Sequence, residues 1–103
     1  IKHCEFIVNI KNNGILNQGI IKYDGYLKTD NGIILIEYDG LYWHKQSYDE
    51  IKDEICISTR KDVLGIIRVS SDVYSKNKNN ITKLITNAIN EIKSKECNRI
   101  KIY

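Results

Sequence analysis

Proline and methionine are absent from this 103-residue chain, and cysteine occurs only three times, as Cys4, Cys56 and Cys97. The missing proline and methionine accompany heavy use of Ile, Asn and Lys, which we read as AT-rich coding rather than a physical demand. An odd number of widely spaced cysteines with no C-x-x-C pair argues against a disulfide framework or a structural zinc site. It favours a reducing compartment instead. His3 beside Cys4 has no second ligand pair elsewhere to complete a metal site. No apolar run approaches the length of a membrane span and no signal peptide is visible. The expectation is a soluble, intracellular protein with no membrane partner, in cytoplasm or nucleus, or in a host cell if the source is viral. No triad or nucleophile-elbow motif supports Ser or Cys nucleophilic catalysis. The sequence does not open on Met, so a fragment, or one domain of a longer protein, is expected. A net charge of +3, from 16 basic and 13 acidic residues, is too mild to indicate nucleic acid by itself. The length allows one domain, 1–103, with one core.

What is present is organised around Ile33–His44, which reads I-I-L-I-E-Y-D-G-L-Y-W-H. Its four leading apolar residues are too few for a buried helix and rich in β-branching, which predicts a strand covered on both faces. Glu37 and Asp39 follow two apart, on one face of an extended chain. Gly40 permits a turn, and the chain reaches His44. Carrying two acids and a histidine to one sheet edge is costly unless a cation uses them.

The rest falls into place around that strand. Residues 1–13 are ambiguous, since Cys4, Phe6, Ile7 and Ile10 have roughly helical spacing in a β-branched run. Ile15 to Leu27 alternates as a half-buried strand. Thr29-Asp30-Asn31-Gly32 supplies turn chemistry, with Asn-Gly favouring the positive φ of a tight hairpin. Pairing Ile33–Glu37 antiparallel to Ile20–Leu27 about Asp30-Asn31 sets Glu37 opposite roughly Asp24. Three carboxylates, Asp24, Glu37 and Asp39, then converge. Ser47-Tyr48-Asp49-Glu50 matches a capping box, opening a helix with Ile51, Ile55 and Ser58 on one face. Gly65 ends that region, and Ile66–Val69 reads as a strand. Ser70–Asn79 reads as a polar loop tacked down by Val73 and Tyr74. Ile81, Leu84, Ile85, Ala88, Ile89 and Ile92 form the apolar stripe of a final helix with Asn79 or Asn80 as cap. Arg99–Tyr103 closes as a short edge strand.

Converging carboxylates repel one another unless one is protonated or a divalent cation intervenes. Oxygen ligands suit Mg²⁺ or Mn²⁺, which bind phosphate oxygens and lower the pKa of a bound water. His44 is placed to serve as general base or acid. Metal-assisted phosphodiester hydrolysis is the chemistry these residue types favour.

Over roughly residues 20–70 the pattern of strand, acid, hairpin, strand and E-x-x, then helix and strand, resembles the PD-(D/E)xK nuclease core. Within that superfamily it is most similar to small Vsr-like nucleases, both repair and homing types. Their strand-x-x-G-x-x-W-H segment is matched by Tyr38-Asp39-Gly40-Leu41-Tyr42-Trp43-His44. Asp49, Lys52 and Asp53 fit their D-x-x-K-D helix pattern, and Gly65–Val69 the next strand. The resemblance implies an α/β fold with a restriction-endonuclease-like three-layer core, a mixed β-sheet with a hairpin flanked by helices. It implies a Mg²⁺-dependent (or Mn²⁺-dependent) endodeoxyribonuclease acting on DNA, with catalytic residues Asp24, Glu37, Asp39 and His44. Asp24, Glu37 and the Tyr38 main-chain carbonyl would be metal ligands. Glu5 would correspond to an acid of the first helix of Vsr-like enzymes. The family's usual lysine position holds Asp39, so Lys22, Arg68 or a second metal would have to supply the missing charge.

Phosphate contacts are expected from Lys22 and Arg68, and from the basic C-terminal third through Lys83 and Lys93, although that third also reads as a solvated helix face. So small a domain leaves little surface for base reading, so a homodimer or a separate DNA-binding domain is expected beside it. Two rival readings stand. Asp24-Gly25 and Asp39-Gly40 are also hairpin-turn signals, which would make Leu41–His44 a further strand of a small antiparallel β module. A non-catalytic nucleic-acid-binding domain of a larger DNA-processing protein is the functional alternative.

Overall fold

Ile34, Leu35 and Ile36 are each fully buried, and together they form the middle of strand β3 (Gly32–Asp39). Only a strand covered on both faces hides three consecutive side chains. The computed structural model describes the backbone of residues 2–12, 15–40 and 46–103, and side chains from 23 to 40 and from 49 onward. β3 lies at the centre of a five-stranded sheet with β1 (Lys2–Asn12), β2 (Ile15–Thr29), β4 (Val63–Ser70) and β5 (Arg99–Ile102) in simple sequential order. β1, β2 and β3 pair antiparallel, while β3, β4 and β5 pair parallel, so the sheet is mixed. The ambiguous N-terminal run is therefore strand. The small antiparallel β module is excluded by the two parallel pairings.

Parallel neighbours require crossovers, and helices supply them. α1 (Gln46–Thr59) joins β3 to β4, and α2 (Ser71–Lys76) with α3 (Ile81–Lys93) joins β4 to β5. Two separate cores show that the sheet has a helix on each side. Tyr23, Leu35, Val63 and Ile66 pack with Cys56 of α1, while Ile34, Ile36, Ile67 and Val69 pack with Ile81, Ala88 and Ile92 of α3. The α3 stripe is the one its spacing predicts. No helix among the described residues is long and apolar enough to cross a membrane.

Four local expectations are corrected. The supposed loop after β4 contains α2, because the Ser70 side chain accepts a hydrogen bond from the Val73 amide and starts a helix at once. Asn80 occupies the N-cap of α3 without a side-chain cap bond. In the β2–β3 turn, Gly32 has the expected positive φ (155°), but its Asn-Gly partner Asn31 does not. Ile51 does not join the inward face of α1 but is 57% exposed, and Asp49, Asp53 and Cys56 face inward in its place. This i, i+4, i+7 set is mostly acidic, so its inward direction leaves no apolar signature.

α3 passes so close to β4 that a Cβ at Gly65 would lie 2.8 Å from Ile92 Cγ2 and 3.0 Å from the Asn98 carbonyl oxygen. Gly65→Ala should cost about 1–3 kcal/mol by overpacking, read as a lower urea midpoint. An unchanged midpoint would mean that α3 yields freely.

Candidate active site

The β2–β3 ladder pairs Thr29 with Gly32 and runs to Gly25 opposite Ile36. Continued by one residue, it sets Asp24 opposite Glu37, as the hairpin arithmetic expects. β2 is irregular there. Lys2 pairs with Tyr26 but Cys4 with Tyr23, so β2 carries one extra residue around Asp24-Gly25. Tyr23 and Tyr26, three apart, consequently pack on the same α1-side core, which strict alternation forbids. This is a β-bulge, a device that re-aims a side chain.

The Asp24 carboxylate Oδ2 accepts a hydrogen bond of 2.7 Å from the Tyr38 amide. The carboxyl of Glu37 lies next to it, close enough for Asp24 to raise the Glu37 carboxyl. Glu37 is buried, and Lys52 Nζ from α1 donates to its Oε2 at 3.1 Å. The same ammonium sits over the Tyr23 ring, 4.3 Å from its centroid. Burial foremost, and then the neighbouring Asp24 carboxyl, push the Glu37 carboxyl up to about 7 even though Lys52 pulls it down.

That shift predicts a pH dependence. A carboxyl raised in the folded state stabilises the fold in its protonated form. The contribution is fully present below about 4.5 and is lost as pH rises through about 7. Without divalent metal, urea midpoints should fall between pH 5 and pH 8, and Glu37→Gln should flatten the fall. A Glu37→Gln profile parallel to wild type would assign the loss to another group.

A second cluster lies beside this pair. Arg68, paired across the ladder with Glu37, is completely buried. Its Nε and Nη2 donate to the two carboxylate oxygens of Asp53 at 2.6 and 2.7 Å. Its Nη1 donates to Asp39 at 2.8 Å and lies 3.6 Å from Asp49. Arg99 Nε also donates to Asp53, the Tyr23 hydroxyl donates to Asp53 at 2.8 Å, and the Tyr103 hydroxyl donates to Asp39. Burial works against the Asp53 charge, but the bonds from Arg68 and Arg99 outweigh it and hold the carboxyl below its usual range.

The expected residues thus divide. Asp24 and Glu37 come together. Asp39 does not join them: it is buried against Arg68 and Tyr103, because a guanidinium one strand away satisfies it. Arg68, expected at phosphate, is inaccessible and engaged on both edges of its guanidinium. Lys83 is exposed near the start of α3. Lys93 lines a cavity of about 530 Å³ with Asn31, at the hairpin-turn end of the sheet. Six residues of strand, roughly 20 Å, separate that turn from Glu37. His44 lies outside the described residues, as do the side chains of Glu5 and Lys22; Glu5 sits on strand β1 and not on a first helix. Lys52 is the residue that sequence reasoning undervalued. Its place in D-x-x-K-D was visible, but its reach to Glu37 requires knowing how α1 sits on the sheet.

Among the described residues no three His, Cys, Asp or Glu side chains form a metal-binding group. The donors at hand are the two carboxylates of Asp24 and Glu37. That set fits Mg²⁺, which usually takes one or two carboxylates and keeps several waters. The forced proximity of the two carboxyls is the conflict such an ion relieves. No family model matches the chain, and no curated protein or solved structure matches it either.

Proposed function

We propose that this chain is a metal-dependent DNA endonuclease with a restriction-endonuclease-like core, hydrolysing phosphodiester bonds in the manner of Vsr-like nucleases. The observation that carries the reading is the meeting of Asp24 and Glu37 under the ammonium of Lys52, at the carboxyl end of β3. Open α/β sheets take their ligands at that end of the parallel strands.

Asp24, Glu37 and the Tyr38 carbonyl would hold Mg²⁺ or Mn²⁺. When bound, such an ion polarises the phosphoryl oxygen and makes water a better nucleophile. The Tyr38 amide orients Asp24. Lys52 supplies the positive charge that Asp39 cannot, facing the negative charge that grows on the phosphoryl oxygens. His44 is assigned the proton transfer to or from water or the leaving oxygen. Asp39 and Arg68 act behind this site rather than in it. Lys83 and Lys22 are assigned to phosphates near the cut, Lys93 to backbone farther along the duplex, and a second copy or a separate DNA-binding domain to base reading.

The test is nicking of supercoiled plasmid with Mg²⁺ or Mn²⁺, with and without chelator, alongside calorimetry with the metal alone. Chelator-reversible nicking and a binding heat are expected. DNA binding with neither would favour the non-catalytic binding domain instead.

A further inference from the structure

We propose that the buried Arg68–Asp53–Tyr23 chain is a positioning device for Lys52, holding its ammonium at Glu37. The inference rests on the nuclease reading for its consequence in rate, but the geometry stands independently of it. Each link is a direct contact. Arg68 grips Asp53 by two donors, Asp53 accepts from the Tyr23 hydroxyl, and the Tyr23 ring carries the Lys52 ammonium at 4.3 Å. Lys52 then donates to Glu37 at 3.1 Å.

The composition of this contact surface argues for positioning over simple support. Asp49, Lys52 and Asp53 stand at i, i+3 and i+4 of α1, so one helical face presents both anchoring acids and the lysine. The N-terminal half of α1 is therefore seated ionically, while its apolar Ile51 faces solvent. A buried ionic cluster is a poor way to add stability, since apolar residues of similar volume commonly do as well or better. What it adds is a fixed direction: paired, hydrogen-bonded groups admit few alternative arrangements. The Tyr23 ring is fixed at both ends, by its own strand and by Asp53. A lysine has four rotatable bonds and a mobile point charge. Resting it on an immobilised aromatic face removes that freedom before substrate arrives.

The experiment reads Lys52 directly. In ¹⁵N-lysine-labelled chain its ammonium signal, identified by its loss in Lys52→Met, should be displaced by the Tyr23 ring current. Asp53→Asn should move it toward ordinary exposed lysines. The same variant should lower the single-turnover nicking rate by about 10²-fold with DNA affinity unchanged, the scale of an ångström's misplacement. In a Lys52→Met background Asp53→Asn should cost nothing further. Tyr23→Phe keeps the ring and removes only its hydroxyl, so it provides the same readings should Asp53→Asn fail to fold. A Lys52 signal unmoved by both variants would overturn the proposal. So would a rate loss that persists undiminished without Lys52, since that marks a structural role. If the wild-type chain nicks no DNA, the nuclease reading fails, and the ammonium signal alone decides whether Lys52 is positioned.

Discussion

Asp24→Asn should leave the chain folded, abolish divalent-metal binding, and reduce nicking to the level seen in chelator. Asparagine keeps an oxygen for the Tyr38 amide, a 2.7 Å bond in the native protein, and nearly the same volume, so the bulge has no reason to rearrange. What disappears is one of two carboxylates in a donor set that Mg²⁺ needs almost entirely. Losing a partner merely behind a ligand costs ~10–100-fold in metal affinity or activity, so losing the ligand should cost more. A second reading is independent of catalysis. Burial is the largest cause of the raised Glu37 carboxyl, and the neighbouring Asp24 carboxyl is the next. Replacing Asp24 removes its charge, so Glu37 should titrate lower and the metal-free loss of stability between pH 5 and pH 8 should shrink. Calorimetry in Mn²⁺ and urea titrations across pH check both. An Asp24→Asn variant that binds metal like wild type would remove Asp24 from the site.

Lys52→Met should lower the nicking rate by ~10²–10³-fold, the cost of deleting one preorganised electrostatic donor, with the DNA concentration dependence unchanged. Methionine retains much of the apolar stem that lies on Tyr23. Lys52 also draws the Glu37 carboxyl downward, so without it Glu37 should hold its proton to higher pH and compete more strongly with metal. The loss should therefore exceed that range near pH 7 with limiting metal, and settle into it at pH 8.5 with saturating metal. Single-turnover assays at both conditions separate the two effects. If the variant recovers fully at high pH, Lys52 serves only to keep Glu37 ionised.

Much of this site is legible in the amino-acid order. Two periodicities and one turn suffice to obtain the buried β3, the α3 stripe and the opposition of Asp24 to Glu37. The turn at Asp30-Asn31 converts a separation of thirteen residues into direct neighbourhood, because hairpin register follows from loop length. Residues 1–13 stay ambiguous in sequence because a β-branched run of that length fits either period. α2 leaves no stripe in the sequence because its six residues include no buried side chain.

Other features have no local signature. The bulge at Asp24-Gly25 is a mismatch between two strands and shows only in their pairing. An apolar residue such as Ile51 reads as inward-facing, and α1 inverts that rule with acids that match Arg68. Arg68 meets Asp53 fifteen positions away and Asp39 twenty-nine positions away. Ionic contacts at such distances obey no period. They depend on the parallel placement of β4 beside β3, which brings Arg68 under α1. Sequence alone brings Asp24 and Glu37 to one end of a hairpin, because short-range pairing is set by turn length and alternation, but it counts Asp39 with them, which packing turns to Arg68 instead. Tertiary structure alone decided which cation stands with them, Lys52 and not Arg68. That choice depends on which charges the packing of helix on sheet buries and which it leaves at the edge.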